Sequence, residues 1–274
     1  MAWQPLITSP ANPRIKAVQK LQRRRARHEQ GRLLVEGVRL VRDAWEAGVR
    51  PEALFFAADL ADGSAAVAGL VAALHAAGVE LVPCTARVFA ELAETQTPQG
   101  IAALLPLPEL PLPPSPDLLL VLDRVRDPGN AGTLLRTAEA AGVQLVLFGP
   151  ETVDPFNDKV VRAGMGAHFR VPLRVCPRWE DVAAHIPPGQ ALYVADGAAT
   201  LDYTDVDWRA PSALIVGGEA TGASQTAHAT ATPIAVPMLG RVESLNVGVA
   251  GAVILFEAAR SRRMAARFAA LSAR

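Results

Sequence analysis

The order of apolar and polar positions along the chain predicts short buried strands that alternate with helices. Continuous apolar runs are typical of strands buried on both faces, whereas apolar residues recurring every third or fourth position indicate a helix. In the first half the predicted strands span 32–37, 53–57, 80–83 and 100–105, and the predicted helices span 14–30, 38–48, 64–77 and 86–94. In the second half strands are predicted at 117–123, 144–148, 191–195, 213–216 and 234–236, with helices at 130–141 and 158–166. This alternation favours an α/β fold with a parallel sheet covered on both sides.

A proline-rich stretch divides the two halves. Six of the residues from Pro106 to Pro116 are proline, and proline neither continues a helix nor donates to a central strand. We therefore predict a smaller α/β domain over 1–105, an extended linker over 106–116 and a second α/β domain over 117–274.

Charge is balanced over the whole chain, with 27 basic and 27 acidic residues, but the N-terminal end is basic. Within 1–32 the acidic residue Glu29 stands alone against a cluster of lysines and arginines. Clustered arginines suit phosphate recognition, although solvated helix ends are often basic, so charge alone leaves both interpretations open. The candidate nucleic-acid contacts are Arg14, Lys16, Lys20, Arg23, Arg24, Arg25 and Arg27.

Several classes of protein are disfavoured by the sequence. Two cysteines are too few for a disulfide framework, no apolar run reaches the roughly 20 residues of a membrane span, and no secretory leader is visible. The five histidines lack a metal-ligand spacing, and G-x-G-x-x-G does not follow the first strand of the second domain. We therefore expect a cytoplasmic protein without a metal, a membrane anchor or a Rossmann dinucleotide site.

Three loops that follow predicted strands carry candidate chemistry, because ligands bind beyond the carboxyl ends of parallel strands. In the first loop Asn130 is predicted to cap a helix from which Arg136 projects, an arrangement suited to an anion or a ribose. In the second, 217–222 has the glycine spacing of a P-loop, but Ala223 replaces the lysine and Glu219 would repel a triphosphate. A nucleotide triphosphatase is therefore disfavoured.

The third loop precedes the apolar run 247–256. Ser244 or Asn246 can cap the helix predicted there, while Gly248 and Gly251 allow another element to approach its backbone closely. A capped, well-packed terminal helix explains this stretch as well as a ligand site does, so taken alone it leaves both interpretations open.

In this order, the patterns N-x-G-x-x-x-R, G-G-E-x-x-G and P-M-x(5)-S-L-N resemble the SpoU branch of the SPOUT methyltransferases, which methylate ribose 2′-hydroxyls in RNA. The resemblance extends along the chain through SPANPRIKAVQKL, LLVEGVRLV, TPQGI and VVRAGMGAHF. It implies a knotted C-terminal domain that binds S-adenosylmethionine, an N-terminal domain that binds the RNA substrate, and a homodimer with its active site near the interface. One difference is Gly164, which stands where relatives usually have serine.

Carried over position by position, the resemblance implies two groups of site residues. The cofactor-binding positions are Gly217, Val236, Met238 and Leu245, with glycine at 217 allowing close approach to the adenosyl group. The polar active-site positions are Asn130, Arg136, Glu219, Ser244 and Asn246. Glu219 is a candidate hydrogen-bond acceptor for Asn130 or Arg136, and a cap of a neighbouring backbone segment explains it equally well. A guanidinium stays charged at neutral pH, so Arg136 is expected to stabilise the developing alkoxide rather than to act as the base.

The predicted function is therefore an RNA 2′-O-ribose methyltransferase that uses S-adenosylmethionine and acts on ribosomal RNA, with transfer RNA as the second substrate class. A non-catalytic RNA-binding or ribosome-assembly protein with the same fold is the alternative from another functional class.

Overall fold

A computed structural model describes residues 5–57, 59 and 64–272, with side chains through Phe268. Within these residues the chain divides into two compact units. The first comprises Met1–Pro108 together with Phe156–Phe169, and the second comprises Glu109–Pro155 together with Arg170–Arg274.

The first unit is built on a mixed four-stranded sheet. Its strands are β1 (Arg32–Glu36), β2 (Ala53–Phe56), β3 (Glu80–Pro83) and β4 (Ile101–Pro106), in the order β1-β4-β2-β3. Strand β4 runs antiparallel to both neighbours, whereas β2 and β3 are parallel. The helices of this unit are Pro13–Gln19, Arg24–Gln30, Val38–Glu46, Ala65–Ala76, Ala86–Ala90 and Asp158–Gly164. Asn12, Ser64 and Thr85 begin three of them by accepting hydrogen bonds from first-turn backbone amides.

The second unit is built on an all-parallel six-stranded sheet. Its strands are β5 (Leu118–Asp123), β6 (Leu145–Phe148), β7 (Leu173–Val175), β8 (Ala191–Ala195), β9 (Ser212–Gly217) and β10 (Thr232–Ile234), in the order β10-β8-β9-β5-β6-β7. Strands β5 and β9 are buried along their whole length, as their continuous apolar sequences predict. The helices are Pro128–Ala141, Trp179–Ala183, Gln225–Thr230 and Val247–Ser272. The terminal helix Val247–Ser272 packs closely on Pro128–Ala141.

The α/β class and the parallel sheet are confirmed, but several local predictions are wrong. The single basic helix predicted over 14–30 is interrupted, because Lys20–Gln22 forms a 3-10 turn and Arg23 is extended. Strand β10 lies at Thr232–Ile234 rather than 234–236, and Ala86–Ala90 is shorter than the predicted helix. Helix Asp158–Gly164 ends before 166, because Met165 has a positive φ of 47°. Strand β7 and the helices Trp179–Ala183 and Gln225–Thr230 were not predicted; they are too short for a clear periodicity.

No helix among the described residues is both long enough and apolar enough to cross a bilayer.

Candidate active site

A cavity of about 410 Å³ lies at the carboxyl ends of strands β8, β9 and β10 in the second unit. The loops that follow these strands form its wall, as expected for ligand sites in parallel sheets. All four predicted cofactor-binding residues line this cavity: Gly217, Val236, Met238 and Leu245. The predicted polar residues Glu219, Ser244 and Asn246 line it as well. Residues far apart in the sequence therefore meet at one site.

A hydrogen-bonded chain of three polar side chains lies beside the cavity. Asn246 Nδ2 donates to Asn130 Oδ1 at 3.1 Å, and Asn130 Nδ2 donates to Glu219 Oε1 at 2.8 Å. The side-chain oxygen of Asn246 caps the terminal helix. Its Oδ1 accepts hydrogen bonds from the backbone amides of Gly248 and Val249 at 2.9 and 3.3 Å. One asparagine therefore both caps a helix and orients the polar network, and the predicted contact between Glu219 and Asn130 is present.

Asn130 does not cap its own helix, which corrects the prediction. The helix begins at Pro128, and the side chain of Asp127 accepts a 2.8 Å hydrogen bond from the backbone nitrogen of Asn130. Proline is favoured in the first turn because its missing N–H would be unpaired there in any case. Since Asp127 takes the capping position, the Asn130 side chain is free to bind Asn246 and Glu219.

The loop after β9 turns back very tightly. A Cβ atom on Gly217 would lie 2.1 Å from the Ala223 nitrogen, and one on Gly218 would lie 2.3 Å from the Arg124 carbonyl oxygen. Gly218 and Gly222 exchange two backbone hydrogen bonds of 3.1 and 3.0 Å. The sequence predicts that Gly217 lacks a side chain in order to admit the cofactor. The structure shows a second reason, because the chain returns so close at Ala223 that no Cβ atom fits at 217.

Arg136 is not among the residues that line the cavity. It lies on the helix Pro128–Ala141, six positions after Asn130. At 3.6 residues per turn, the side chains of Asn130 and Arg136 point in directions about 120° apart around the helix axis. Its side chain is exposed and forms no hydrogen bond or ion pair with the described residues. Gly164 does not line the cavity either; it is buried at the end of Asp158–Gly164 in the first unit.

The predicted nucleic-acid contacts divide into exposed and internally bound side chains. Arg27 is 4% exposed and donates to the carbonyl oxygens of Leu21 and Gln22 at 2.8 and 2.9 Å, so it stabilises the fold. Arg14 is half-buried and forms a bidentate ion pair with Glu80. The Arg14 hydrogen bonds lower the pKa of Glu80 below its ordinary value. The exposed members are Lys16, Lys20, Arg23, Arg24 and Arg25, and Arg25 pairs with Glu29 at 2.6 Å.

The cavity residues that the sequence did not single out include Asp196, Gly197 and Glu243. Asp196 and Gly197 directly follow β8, and the rule that ligands bind beyond strand ends would have indicated them. Glu243 precedes Ser244 and had no comparable signal.

The residues of the cavity suit S-adenosylmethionine. Val236, Met238, Leu245 and Ile254 provide apolar surface of the kind that an adenosyl group requires. Asp196, Glu219 and Glu243 provide carboxylates, which complement the positive charges of a sulfonium and an ammonium group. Among the described residues no cluster of side chains is suited to hold a metal ion.

An all-parallel sheet with such a cavity at its strand ends is typical of a ligand-binding α/β domain. Residues 117–256 match the SpoU rRNA Methylase family, and residues 12–103 match the MRM3-like substrate binding domain. The chain belongs to the SpoU rRNA methylase family.

Relatives of known name cover nearly the whole chain. The 23S rRNA (guanosine(2553)-2′-O)-methyltransferase RlmP of Bacillus subtilis is 33% identical over 91% of this chain and 97% of its own length. Mouse mitochondrial rRNA methyltransferase 3 is 32% identical over 93% of this chain and 74% of its own length. The AdoMet-bound rRNA methyltransferase of Sinorhizobium meliloti superposes with a TM-score of 0.81 at 30% identity, covering 93% of this chain and 97% of the other.

These relationships confirm three predictions made from the sequence: the SpoU family, the enzyme class of RNA 2′-O-ribose methyltransferases, and S-adenosylmethionine as the cofactor. The SpoU methyltransferase AviRb of Streptomyces viridochromogenes, also solved with AdoMet, has a TM-score of 0.82 at 27% identity over 92% of this chain and 98% of its own.

Proposed function

We propose that this chain transfers the methyl group of S-adenosylmethionine to a ribose 2′-hydroxyl of ribosomal RNA. The observation that carries the proposal is the convergence of Asn130, Glu219 and Asn246 beside the cavity lined by Gly217 and Leu245. The names of RlmP and of the Sinorhizobium meliloti enzyme favour ribosomal over transfer RNA as the substrate.

Bound S-adenosylmethionine supplies a methyl group that its positively charged sulfur has already activated. The protein must therefore align the ribose oxygen and stabilise the negative charge that develops as the hydroxyl loses its proton. In our proposal Asn130, Ser244 and Asn246 position the ribose, and Glu219 holds the Asn130 amide in one orientation. Gly217, Val236, Met238 and Leu245 hold the cofactor.

Arg136 has the role of stabilising the alkoxide and of binding the adjacent RNA phosphate, while the proton leaves to a phosphate oxygen or to water. A guanidinium has a pKa above about 12 and a planar fork of donors that suits this task better than proton removal. The absence of an ion pair between Arg136 and the described residues leaves its donors available for RNA.

We further propose a homodimer with the active sites near the subunit interface and a trefoil knot in the C-terminal domain. Val249 and Phe256 on the terminal helix are 48% and 53% exposed, and such apolar side chains favour burial against a second subunit. An interface there would explain why Arg136 does not line the cavity of its own chain.

Each part of the chain has its own task in this proposal. Residues 1–105 select the RNA through Lys16, Lys20, Arg23, Arg24 and Arg25, residues 106–116 act as a linker, and residues 117–274 carry out the transfer. We place the reaction in the cytoplasm, because Cys84 and Cys176 are both free and buried, which suits a reducing compartment.

The test is transfer of a labelled methyl group from S-adenosylmethionine to purified ribosomal and transfer RNA, followed by mapping of ribose methylation in total RNA with and without the gene. A new 2′-O-methyl site in ribosomal RNA supports the proposal, and a site confined to transfer RNA corrects the substrate. Isothermal titration calorimetry with S-adenosylmethionine separates the non-catalytic alternative, because an assembly protein has no need of micromolar affinity for a methyl donor.

A further inference from the structure

Asp123 is a buried carboxyl group that the mechanism above does not use. It is the last residue of β5, the central strand next to β9, and it is 0% exposed. Its Oδ2 accepts a hydrogen bond from the Ser224 backbone nitrogen at 2.6 Å, whereas its Oδ1 is buried and has no hydrogen-bond partner among the described residues. A buried acidic group held by one donor is costly for stability and therefore requires an explanation.

The hydrogen bond from Ser224 closes the base of the loop that follows β9. Asp123 lies opposite Gly217 in the register of β5 and β9, so the loop leaves the sheet beside the carboxyl group. The chain returns at Ala223, which touches Gly217, and the next residue binds Asp123. The Ser224 hydroxyl also accepts a hydrogen bond from Trp179 Nε1 at 2.9 Å.

The tip of the same loop is held by Asn130, which belongs to the segment that follows Asp123. Glu219 lies at the tip, lines the cavity and accepts the hydrogen bond of Asn130, which is seven residues after Asp123. Asp123 therefore holds the base of the loop 217–224 and Asn130 holds its tip. These two hydrogen bonds hold the base and the tip of the loop, and Gly217, Gly218 and Glu219 of the same loop line the cavity.

We propose that Asp123 is a positioning residue for methyl transfer, which acts through Ser224 to set the register of the loop 217–224 around the cofactor. This inference rests on the proposed function. Asp123 does not line the cavity, so its effect reaches the cofactor through the backbone of the loop.

The variants Asp123→Ala and Asp123→Asn separate positioning from general damage. Alanine removes the acceptor, and we expect the Kd and KM for S-adenosylmethionine to rise about tenfold, which corresponds to about 1.4 kcal/mol. The side-chain oxygen of asparagine can replace Oδ2 and accept the hydrogen bond from the Ser224 backbone nitrogen. The side-chain nitrogen then takes the place of Oδ1, which has no hydrogen-bond partner among the described residues. We therefore expect Asp123→Asn to bind within about twofold of the wild type.

Leu118→Ala is the matched control, because Leu118 is 1% exposed at the opposite end of the same strand. We expect it to lower the thermal unfolding temperature at least as much as Asp123→Ala but to leave the Kd for S-adenosylmethionine within about twofold. Calorimetry gives the Kd, thermal unfolding without cofactor gives stability, and steady-state assays with RNA give KM and kcat on the full-length protein.

The inference is overturned if Asp123→Ala binds S-adenosylmethionine as the wild type does, or if Leu118→Ala loses as much affinity. If the wild type itself does not bind S-adenosylmethionine, the proposed function fails as well. Should Asp123→Ala not fold, Trp179→Phe tests the same loop end, because it removes the donor to Ser224 and keeps a ring. An affinity loss of about threefold supports the inference, and unchanged affinity overturns it.

Discussion

Asn130 on the helix after β5 donates a 2.8 Å hydrogen bond to Glu219 on the loop after β9, across 89 positions of sequence. The same Asn130 side chain accepts from Asn246, so the helix, the loop and the start of the terminal helix meet at one amide. Because an amide has one oxygen and one nitrogen, both ends of Asn130 are bound and its orientation is determined by the network.

Replacing Asn130 with alanine should release both of its partners. We expect kcat to fall at least tenfold, because the polar groups that position the ribose lose their orientation. A tenfold fall corresponds to an activation free energy that is about 1.4 kcal/mol higher. Single-turnover methylation of RNA measures the effect. Thr133→Ala, an exposed change on the same helix, is the control and should keep full activity. An Asn130→Ala enzyme with normal turnover would contradict the proposed role of the network.

Arg136→Lys tests whether the fork of a guanidinium is needed. If Arg136 binds a phosphate oxygen and the developing alkoxide together, lysine should lose nearly as much rate as alanine, on the order of 100-fold, because it is a point charge. The affinity for S-adenosylmethionine should stay unchanged in both variants, since Arg136 does not line the cavity. Rates from single-turnover assays and affinities from calorimetry provide the comparison. Near-normal turnover of Arg136→Lys would refute bidentate binding.

Gly217→Ala should disrupt the cavity wall. The added methyl group would lie 2.1 Å from the Ala223 nitrogen, a backbone atom that cannot move aside without shifting the loop. We expect destabilisation of roughly 1–3 kcal/mol and a loss of affinity for S-adenosylmethionine. Thermal unfolding and calorimetry measure the two effects.

The matched control for Gly217→Ala is Gly240→Ala, because Gly240 is exposed and a Cβ atom there meets nothing within 4 Å. We expect Gly240→Ala to match the wild type in stability and in cofactor affinity. Equal behaviour of the two variants would show that the tight return of the loop does not matter.

The exposed and buried members of the basic cluster should differ in their effects. Replacing Lys20 and Arg24 with glutamine should weaken RNA binding and reduce the slope of log K against log salt by about 0.7–0.9 for each phosphate that the variant no longer neutralises. Arg27→Gln should instead lower stability, since Arg27 donates to two buried or partly buried carbonyl groups. RNA binding at several salt concentrations and thermal unfolding distinguish the two outcomes. If the salt slope is unchanged when Lys20 and Arg24 are replaced, these residues do not contact RNA phosphates.

The ion pair of Arg14 and Glu80 predicts a pH dependence of stability. The hydrogen bonds from Arg14 lower the pKa of Glu80 from its ordinary value of 4.5. The pair therefore stabilises the fold above pH 4.5, and this contribution disappears as the pH falls through the lowered pKa. Both side chains are more than a third exposed, so the effect should be below about 1 kcal/mol.

The test of this pH dependence compares the wild type with Glu80→Gln. We expect the difference in their unfolding temperatures to be largest near neutral pH and to vanish in acid. A constant difference at all pH values would mean that the charge of Glu80 does not contribute.

The sequence alone predicted the α/β class, the parallel sheet and four residues, Gly217, Val236, Met238 and Leu245, that meet at one cavity. Continuous apolar runs such as β5 specify strands buried on both faces, and Gly217, Met238 and Leu245 belong to patterns particular enough to indicate one family. For Glu219 the sequence left three partners open, namely Asn130, Arg136 and a neighbouring backbone segment, and the structure shows the bond to Asn130.

Only the tertiary structure decided which side chain fills each hydrogen-bonding role. Asp127 rather than Asn130 caps the helix, and Asp123 binds Ser224 across 101 positions. Arg27 is buried although the other basic residues of its segment, such as Arg24 and Arg25, are exposed. These outcomes depend on competition among donors and acceptors that are distant in sequence, and local propensity carries no information about such partners. Periodicity determines which face of an element is buried, whereas packing determines what each buried polar atom meets.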